Sequence, residues 1–216
     1  SAIGKDKSTD ADVGTYVDEI EIFSPVTGTD GSGDGFRESN YDISYVSGDL
    51  TINRRAITLT ASEQEKIYGD VLSLDDTAFS TLDKDGDEVL PNGEVIDTVS
   101  LVSENGVDAS TDADVKTYAD NISITPTTTD DSTLTGSNGF DQENYDISYV
   151  SGDLTINRRA ITLTASEQEK IYGDVLSLDD TAFSTLDKDG NSELPNDEVI
   201  NEVTLRSYKG YSKSTS

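Results

Sequence analysis

The segment from Asn40 to Gly86 recurs without a change from Asn144 to Gly190, which gives the chain an internal period of 104 residues. A fold made by copying must satisfy the same core positions twice. Such chains are selected for length, spacing or multivalency more than for a single active site. The copies differ mainly in loops. Ser8–Tyr16 matches Ser110–Tyr118 at a spacing of 102, and Gly35-Phe36 matches Gly139-Phe140 at 104, so the second copy gains two residues in the loop between. Insertions there cost little, because closing a slightly longer loop adds only a small entropy.

Charge narrows the partners. The 216 residues carry 44 acidic and 15 basic side chains, a formal net charge of −29. Nucleic acid is all but excluded as a partner and anionic membrane surfaces are disfavoured, since both require basic clusters. So acidic a surface repels itself unless counterions or divalent cations bind, and extracellular calcium is the natural candidate. There is no Cys, hence no disulfide or thiolate metal site, and no His. No apolar run reaches transmembrane length, and membrane insertion is not expected. The chain begins at Ser1 and is read as a mature product or an excised fragment. Hydrophobic content of 33% is low but sits in short alternating runs, which implies small, lean cores.

Those runs predict strands. Tyr41, Ile43 and Tyr45 alternate with polar residues, Ser47-Gly48-Asp49 offers a turn, and Leu50 and Ile52 alternate again, which reads as a β-hairpin. Ile57, Leu59 and Ala61 form the next strand, with a copy at Ile161–Ala165. Further strands are expected at Asp18–Phe23, Glu94–Val102, Asn121–Thr125 and Asp197–Leu205, and one short helix at Leu74–Leu82 with its copy at Leu178–Leu186. Between Ile52 and Ile57 there is no Gly/Ser/Pro linker, so neighbouring modules are coupled stiffly. The expected class is all-β: tandem antiparallel β-sandwich (Ig-like) modules in an elongated rod, with β-grasp-like modules carrying one short helix each as the alternative.

Three ordered motifs resemble a known family. They are Ala56-Ile57-Thr58-Leu59-Thr60-Ala61 followed by Lys66-Ile67-Tyr68-Gly69-Asp70; then Val13-Gly14-Thr15-Tyr16 or Val115-Lys116-Thr117-Tyr118; then Asn40-Tyr41-Asp42-Ile43-Ser44-Tyr45 with Gly48-Asp49-Leu50-Thr51-Ile52. Their order and spacing resemble the MBG-type repeats, the Tyr-Gly-Asp kind, of large bacterial surface adhesins and exoproteins. Lys116 departs from the Gly of the first copy. The resemblance implies an extracellular, cell-surface, tandemly repeated β-stalk without catalysis. It also shifts the frame: residues 1–53 become the C-terminal half of one module, 54–157 a complete central module, and 158–216 the N-terminal half of a third. The alternative phase divides the chain into 1–104 and 105–216.

A charged loop invites metal. Asp83-Lys84-Asp85-Gly86-Asp87-Glu88-Val89-Leu90-Pro91-Asn92-Gly93-Glu94 resembles an EF-hand-type calcium loop, with Asp83, Asp85, Asp87, the carbonyl of Val89 and Glu94 as ligands. The copy offers Asp187, Asp189, Asn191, the carbonyl of Glu193 and Glu198. Hard oxygens closed by a bidentate Glu suit calcium. Glu88 and Ser192 stand where that motif has Gly, and a solvated Asp-Gly turn is the competing reading. Tyr68-Gly69-Asp70 and its copy Tyr172-Gly173-Asp174 are read as structural, with Gly supplying a special backbone angle. Arg54, Arg55, Arg158 and Arg159 are expected to neutralise acidic neighbours and lock adjacent modules.

The function expected from these residues is that of an extender segment of an extracellular bacterial adhesin or exoprotein, stiffened by calcium, and not an enzyme. Its partners are neighbouring repeats or copies of itself, and matrix or cell-surface polysaccharide through the parent protein. A self-assembling fibre subunit joined head-to-tail through half-modules is the second reading. A carbohydrate- or receptor-binding module is the third.

Overall fold

Alternating apolar and polar side chains favour extended chain, but a strand exists only where another edge accepts its hydrogen bonds. The structure, a computed structural model, describes residues 4–23, 28, 35–125 and 134–207. In chain order these form β1 (Gly14–Ile20), β2 (Gly48–Ile52), β3 (Arg55–Ala61), β4 (Gln64–Ile67), β5 (Phe79–Asp83), β6 (Val95–Val99), β7 (Leu101–Ser103), β8 (Thr117–Ile124), β9 (Leu134–Ser137), β10 (Tyr145–Val150), β11 (Gly152–Asn157), β12 (Ile161–Ala165) and β13 (Phe183–Asp187). Short 3-10 turns lie between several of them, and the described residues contain no α-helix. The chain is all-β.

Two compact units gather these strands, and neither is a contiguous segment. The first takes its described residues from Ser1–Thr60, Phe79–Ser100 and Pro126–Val150; the second from Ala61–Ala78, Leu101–Thr125 and Ser151–Ser216. The interleaving follows from pairing between distant segments.

In the first unit β3 lies between β10 and β5. β3 and β10 run parallel, from Arg55 opposite Tyr145 to Thr60 opposite Val150. Ile57 and Leu59 of β3 are buried, as are Leu90, Ile96, Val99, Leu134 and Tyr145. Each such side chain contributes about 1.5–3 kcal/mol by leaving water. β6 pairs antiparallel with β9, and β1 with β2. A bulge in β1 puts Asp18 at φ 57, and its N–H donates to Asp49 Oδ1 at 3.0 Å.

In the second unit the sheet order is β4-β11-β8-β7. β4 and β11 are parallel, from Gln64 opposite Leu154 to Ile67 opposite Asn157, while β8 is antiparallel to both β11 and β7. Ala61, Leu101, Val107, Ile122, Ile124, Leu154 and Ile156 are buried. The bulge recurs at Asp120, φ 53, whose N–H donates to Asp153 Oδ1 at 2.9 Å. β12 and β13 form a separate antiparallel pair.

Several expectations are corrected. The sheets are mixed rather than purely antiparallel, because β3 and β4 offer parallel edges to β10 and β11. The hairpin expected from the Tyr-x-Ile-x-Tyr and Leu-x-Ile pattern is absent for the same reason: β10 and β11 belong to different sheets. Leu74–Leu82 is not helical. Asp75 Oδ1 accepts from the N–H and hydroxyl of Thr77, which fixes a turn, and β5 follows at Phe79. Asp179 and Thr181 repeat this before β13 in place of the Leu178–Leu186 helix. Residues 197–205 are not a strand. In the first copy β6 pairs with β9, and among the described residues no matching edge pairs with 197–205; Val203 N donates instead to Asp180 O at 2.9 Å.

Identical sequence thus takes different structure in its two copies. Residues 41–46 repeat β10 yet are not a strand, and residues 168–171 repeat β4 yet are not a strand. Leu59 is 0% exposed and its copy Leu163 is 44%; Tyr145 is 4% and its copy Tyr41 is 63%. What differs is the partner edge.

Candidate functional site

The charged side chains of this chain gather in two equivalent clusters, around Arg55 in the first unit and Arg159 in the second. The acidic loop builds each site locally. Asp83 Oδ1 accepts from the N–H of Asp85 at 2.8 Å and of Asp87 at 3.0 Å, while Gly86, at φ +83, closes the turn by donating to Asp83 O. The copy is the same: Asp187 Oδ1 accepts from the N–H of Asp189 and of Asn191, each at 2.8 Å. Asp83 and Asp187 are buried.

The second carboxylate oxygen faces an arginine. Arg55 Nε donates to Asp83 Oδ2 at 3.1 Å, Nη2 contacts the same oxygen, and Nη2 reaches Asp85 Oδ2 at 3.1 Å. The Arg55 guanidinium and the loop amides hold the Asp83 carboxyl down to about 2. Arg159 is more fully engaged. Its Nε reaches Asp187 Oδ2 at 3.3 Å, Nη2 reaches Asp189 Oδ2 at 3.4 Å, and Nη1 reaches Asp70 Oδ1 at 2.8 Å. Hydrogen bonds from the Asn191 side of the turn, with Arg159 beside it, lower the Asp187 carboxyl as well.

Tyr68-Gly69-Asp70 completes the second site. Tyr68 OH donates to Glu198 Oε1 at 2.7 Å and accepts from Asn196 Nδ2 at 3.2 Å. Asn196 Nδ2 also donates to Thr111 O at 2.9 Å. In the first site Asn92 Nδ2 donates to Thr9 O at 2.8 Å, an equivalent contact, and Glu94 Oε2 accepts from Tyr145 OH at 2.6 Å. Burial and the Glu94 hydrogen bond raise the Tyr145 phenol. Asn92 and Asn196 both sit in the left-handed region, at φ 59 and 57, which asparagine tolerates.

The expected calcium ligands are therefore placed as follows. Asp83, Asp85 and Asp87 share one turn, as do Asp187, Asp189 and Asn191, but the oxygens of Asp83 and Asp187 face amides and guanidinium groups. Val89 is exposed, Glu193 is exposed, and Glu94 and Glu198 are turned to tyrosine hydroxyls. Among the described residues no group of three or more Asp or Glu is arranged to hold a metal ion. The donor set as placed does not fit a closed calcium cage, because hydrogen-bond donors rather than vacant oxygens face the centre.

Sequence reasoning paired the arginines with acidic neighbours but missed the depth of the Tyr-Gly-Asp role. Gly69 lies at φ +88, and a Cβ there would come within 2.3 Å of Pro195 Cγ. Gly173, in the identical motif, lies at φ +96 with nothing within 4 Å. Gly69→Ala is expected to destabilise the second unit by about 2 kcal/mol, combining left-handed strain with overpacking on Pro195. Gly173→Ala is expected to cost about 1 kcal/mol, the strain alone. Thermal melts of the two variants check the difference; equal shifts would remove Pro195 from the account.

A second missed residue is Lys66. It is buried, and its Nζ donates to Val107 O at 2.5 Å, Asp108 O at 2.9 Å and Ser110 O at 2.5 Å. Burial pushes its ammonium below the ordinary lysine range. A lone Lys on an alternating strand gives no sequence signal of burial.

The site offers charge pairing and shape, with no His or Cys nucleophile. No family model, curated protein or solved structure matches the chain.

Proposed function

We propose that this chain is a spacer segment of a tandemly repeated extracellular bacterial protein of the MBG type, carrying distance and load rather than chemistry. The observation that supports it is a joint made twice from equivalent residues: Asn92 to Thr9 at 2.8 Å in one unit and Asn196 to Thr111 at 2.9 Å in the other. A binding or catalytic site has no need to recur at the repeat period; a mechanical coupling does. In this reading the tandem sandwich modules follow the frame 1–53, 54–157 and 158–216, and neighbouring repeats are the partners. Matrix or surface polysaccharide would be bound by other parts of the parent protein.

Pulling on an array of such repeats is expected to give unfolding steps set by the 104-residue period, a contour gain of roughly 350 Å each. Steps unrelated to that period would sink the spacer reading.

Arg55 and Arg159 here do the organising that the loop sequence assigns to calcium. A chelator is accordingly expected to leave the melting temperature within about 2 °C. A rise specific to calcium over magnesium would instead place the cation in the 83–94 and 187–198 loops, with the arginines displaced.

A further inference from the structure

We propose that two copies of this chain join head-to-tail, residues 41–52 of one copy completing the sheets begun by residues 161–171 of the other. Tyr172-Gly173-Asp174 of that other copy is the latch. The inference rests on the repeat joint described above and extends it between chains.

Each half of the interface is already seen, occupied, within the chain. β3 and β4 take β10 and β11 as parallel partners, with Ile57 opposite Ile147, Leu59 opposite Tyr149 and Lys66 opposite Ile156. The repeat carries this register over unchanged. Ile161 would face Ile43 of the second copy, Leu163 would face Tyr45, and Lys170 would face Ile52. Residues buried in the occupied version are open here: Ile20 is 52% exposed where its counterpart Ile122 is 0%. The carbonyl cage for Lys170 is also formed in advance. Ser8 N donates to Gly4 O at 3.1 Å as Ser110 N does to Gly106 O at 3.0 Å, so the turn carrying the Lys66 acceptors recurs at Lys5, Asp6 and Ser8.

The latch has a matching receptacle. A cleft of about 330 Å³ in the first unit is lined by residues that include Arg55, Pro91, Asn92 and Glu94. Their counterparts Arg159, Pro195, Asn196 and Glu198 grip or abut Tyr68-Gly69-Asp70. Tyr172 is 94% exposed and carries the same motif outward. Arg55 Nη1 has no hydrogen-bond partner among the described residues, where Arg159 Nη1 holds Asp70. A carboxylate from Asp174 fits that position. The net charge of −29 opposes association, so joining is expected to strengthen as salt screens it.

Sedimentation velocity of the whole chain, over a rising concentration series at high salt, tests this. The expected result is a mass that climbs with concentration through head-to-tail species. Gly48→Leu blocks one end: a Cβ at Gly48 meets only Ile20 at 3.9 Å in the free chain, but at its counterpart Gly152 it would sit 2.5 Å from Ala61 O. Ala165→Arg blocks the other, because its counterpart Ala61 is buried. Each variant alone should stay monomeric with unchanged circular dichroism. Mixed, they should form a one-to-one dimer that grows no further, since each retains one usable end. A wild-type chain that stays monomeric throughout, or association that survives both substitutions, overturns the proposal. Period-matched unfolding steps in a covalent array would then still stand, which separates failure of this inference from failure of the spacer reading.

Discussion

Leu59→Ala is expected to destabilise the protein by about 3 kcal/mol, and the same change at Leu163 by less than about 1 kcal/mol. The two leucines lie in identical sequence. Leu59 is fully buried on β3, the central strand of the sheet β10-β3-β5, so truncation removes apolar burial and leaves a cavity. Leu163, on the two-stranded β12-β13 pair, is already largely in water. Urea unfolding followed by circular dichroism at low protein concentration reads the difference, because dilution keeps the outer surfaces uncovered. Equal losses would mean that Leu163 is as buried as Leu59 in solution, and the half-module account would fail.

Lys66→Met is expected to cost about 3 kcal/mol, and Lys170→Met less than about 0.5 kcal/mol. Methionine has comparable length and fills the same channel, so packing changes little. What is lost is a donor to three carbonyl oxygens, those of Val107, Asp108 and Ser110, in a place where water enters with difficulty. Lys170 is exposed. A neutral Lys66→Met would mean the carbonyls are hydrated and the lysine only snorkels. The sign with pH is also fixed. The folded chain holds this proton less tightly than the unfolded chain does, so the burial penalty is full below the lowered pKa and fades as pH rises toward the ordinary lysine value. Wild-type stability should gain on Lys66→Met across that alkaline interval, so the gap between the two denaturation curves is expected to be wider there than at neutral pH.

Alternation in Ala56–Ala61 made β3 legible, and the special backbone angle expected of the glycine in the Lys-Ile-Tyr-Gly-Asp run is the left-handed φ of Gly69 and Gly173. The Arg-Arg pair announced ion pairing with acidic neighbours, and Arg55 with Asp83 forms such a pair. The acidic loop supports two readings: its spacing fits calcium and equally fits a turn in which an Asp caps its own amides, the arrangement seen here with Arg55 beside Asp83. The helix expected at Leu74–Leu82 failed because a local side-chain bond, Asp75 to Thr77, outcompeted helical periodicity too short to propagate.

By itself the sequence determined the strand-forming alternation, the period, the lack of His and Cys and the pairing of arginines with acidic neighbours, all of which depend on side-chain type and spacing along one stretch of chain. Tertiary structure alone decided which copy of an identical segment becomes a strand. β10 and residues 41–46 have the same residues and the same propensities, yet only β10 has β3 alongside it to take its hydrogen bonds and cover its apolar face. Pairing is a property of two segments, and no reading of one of them contains it.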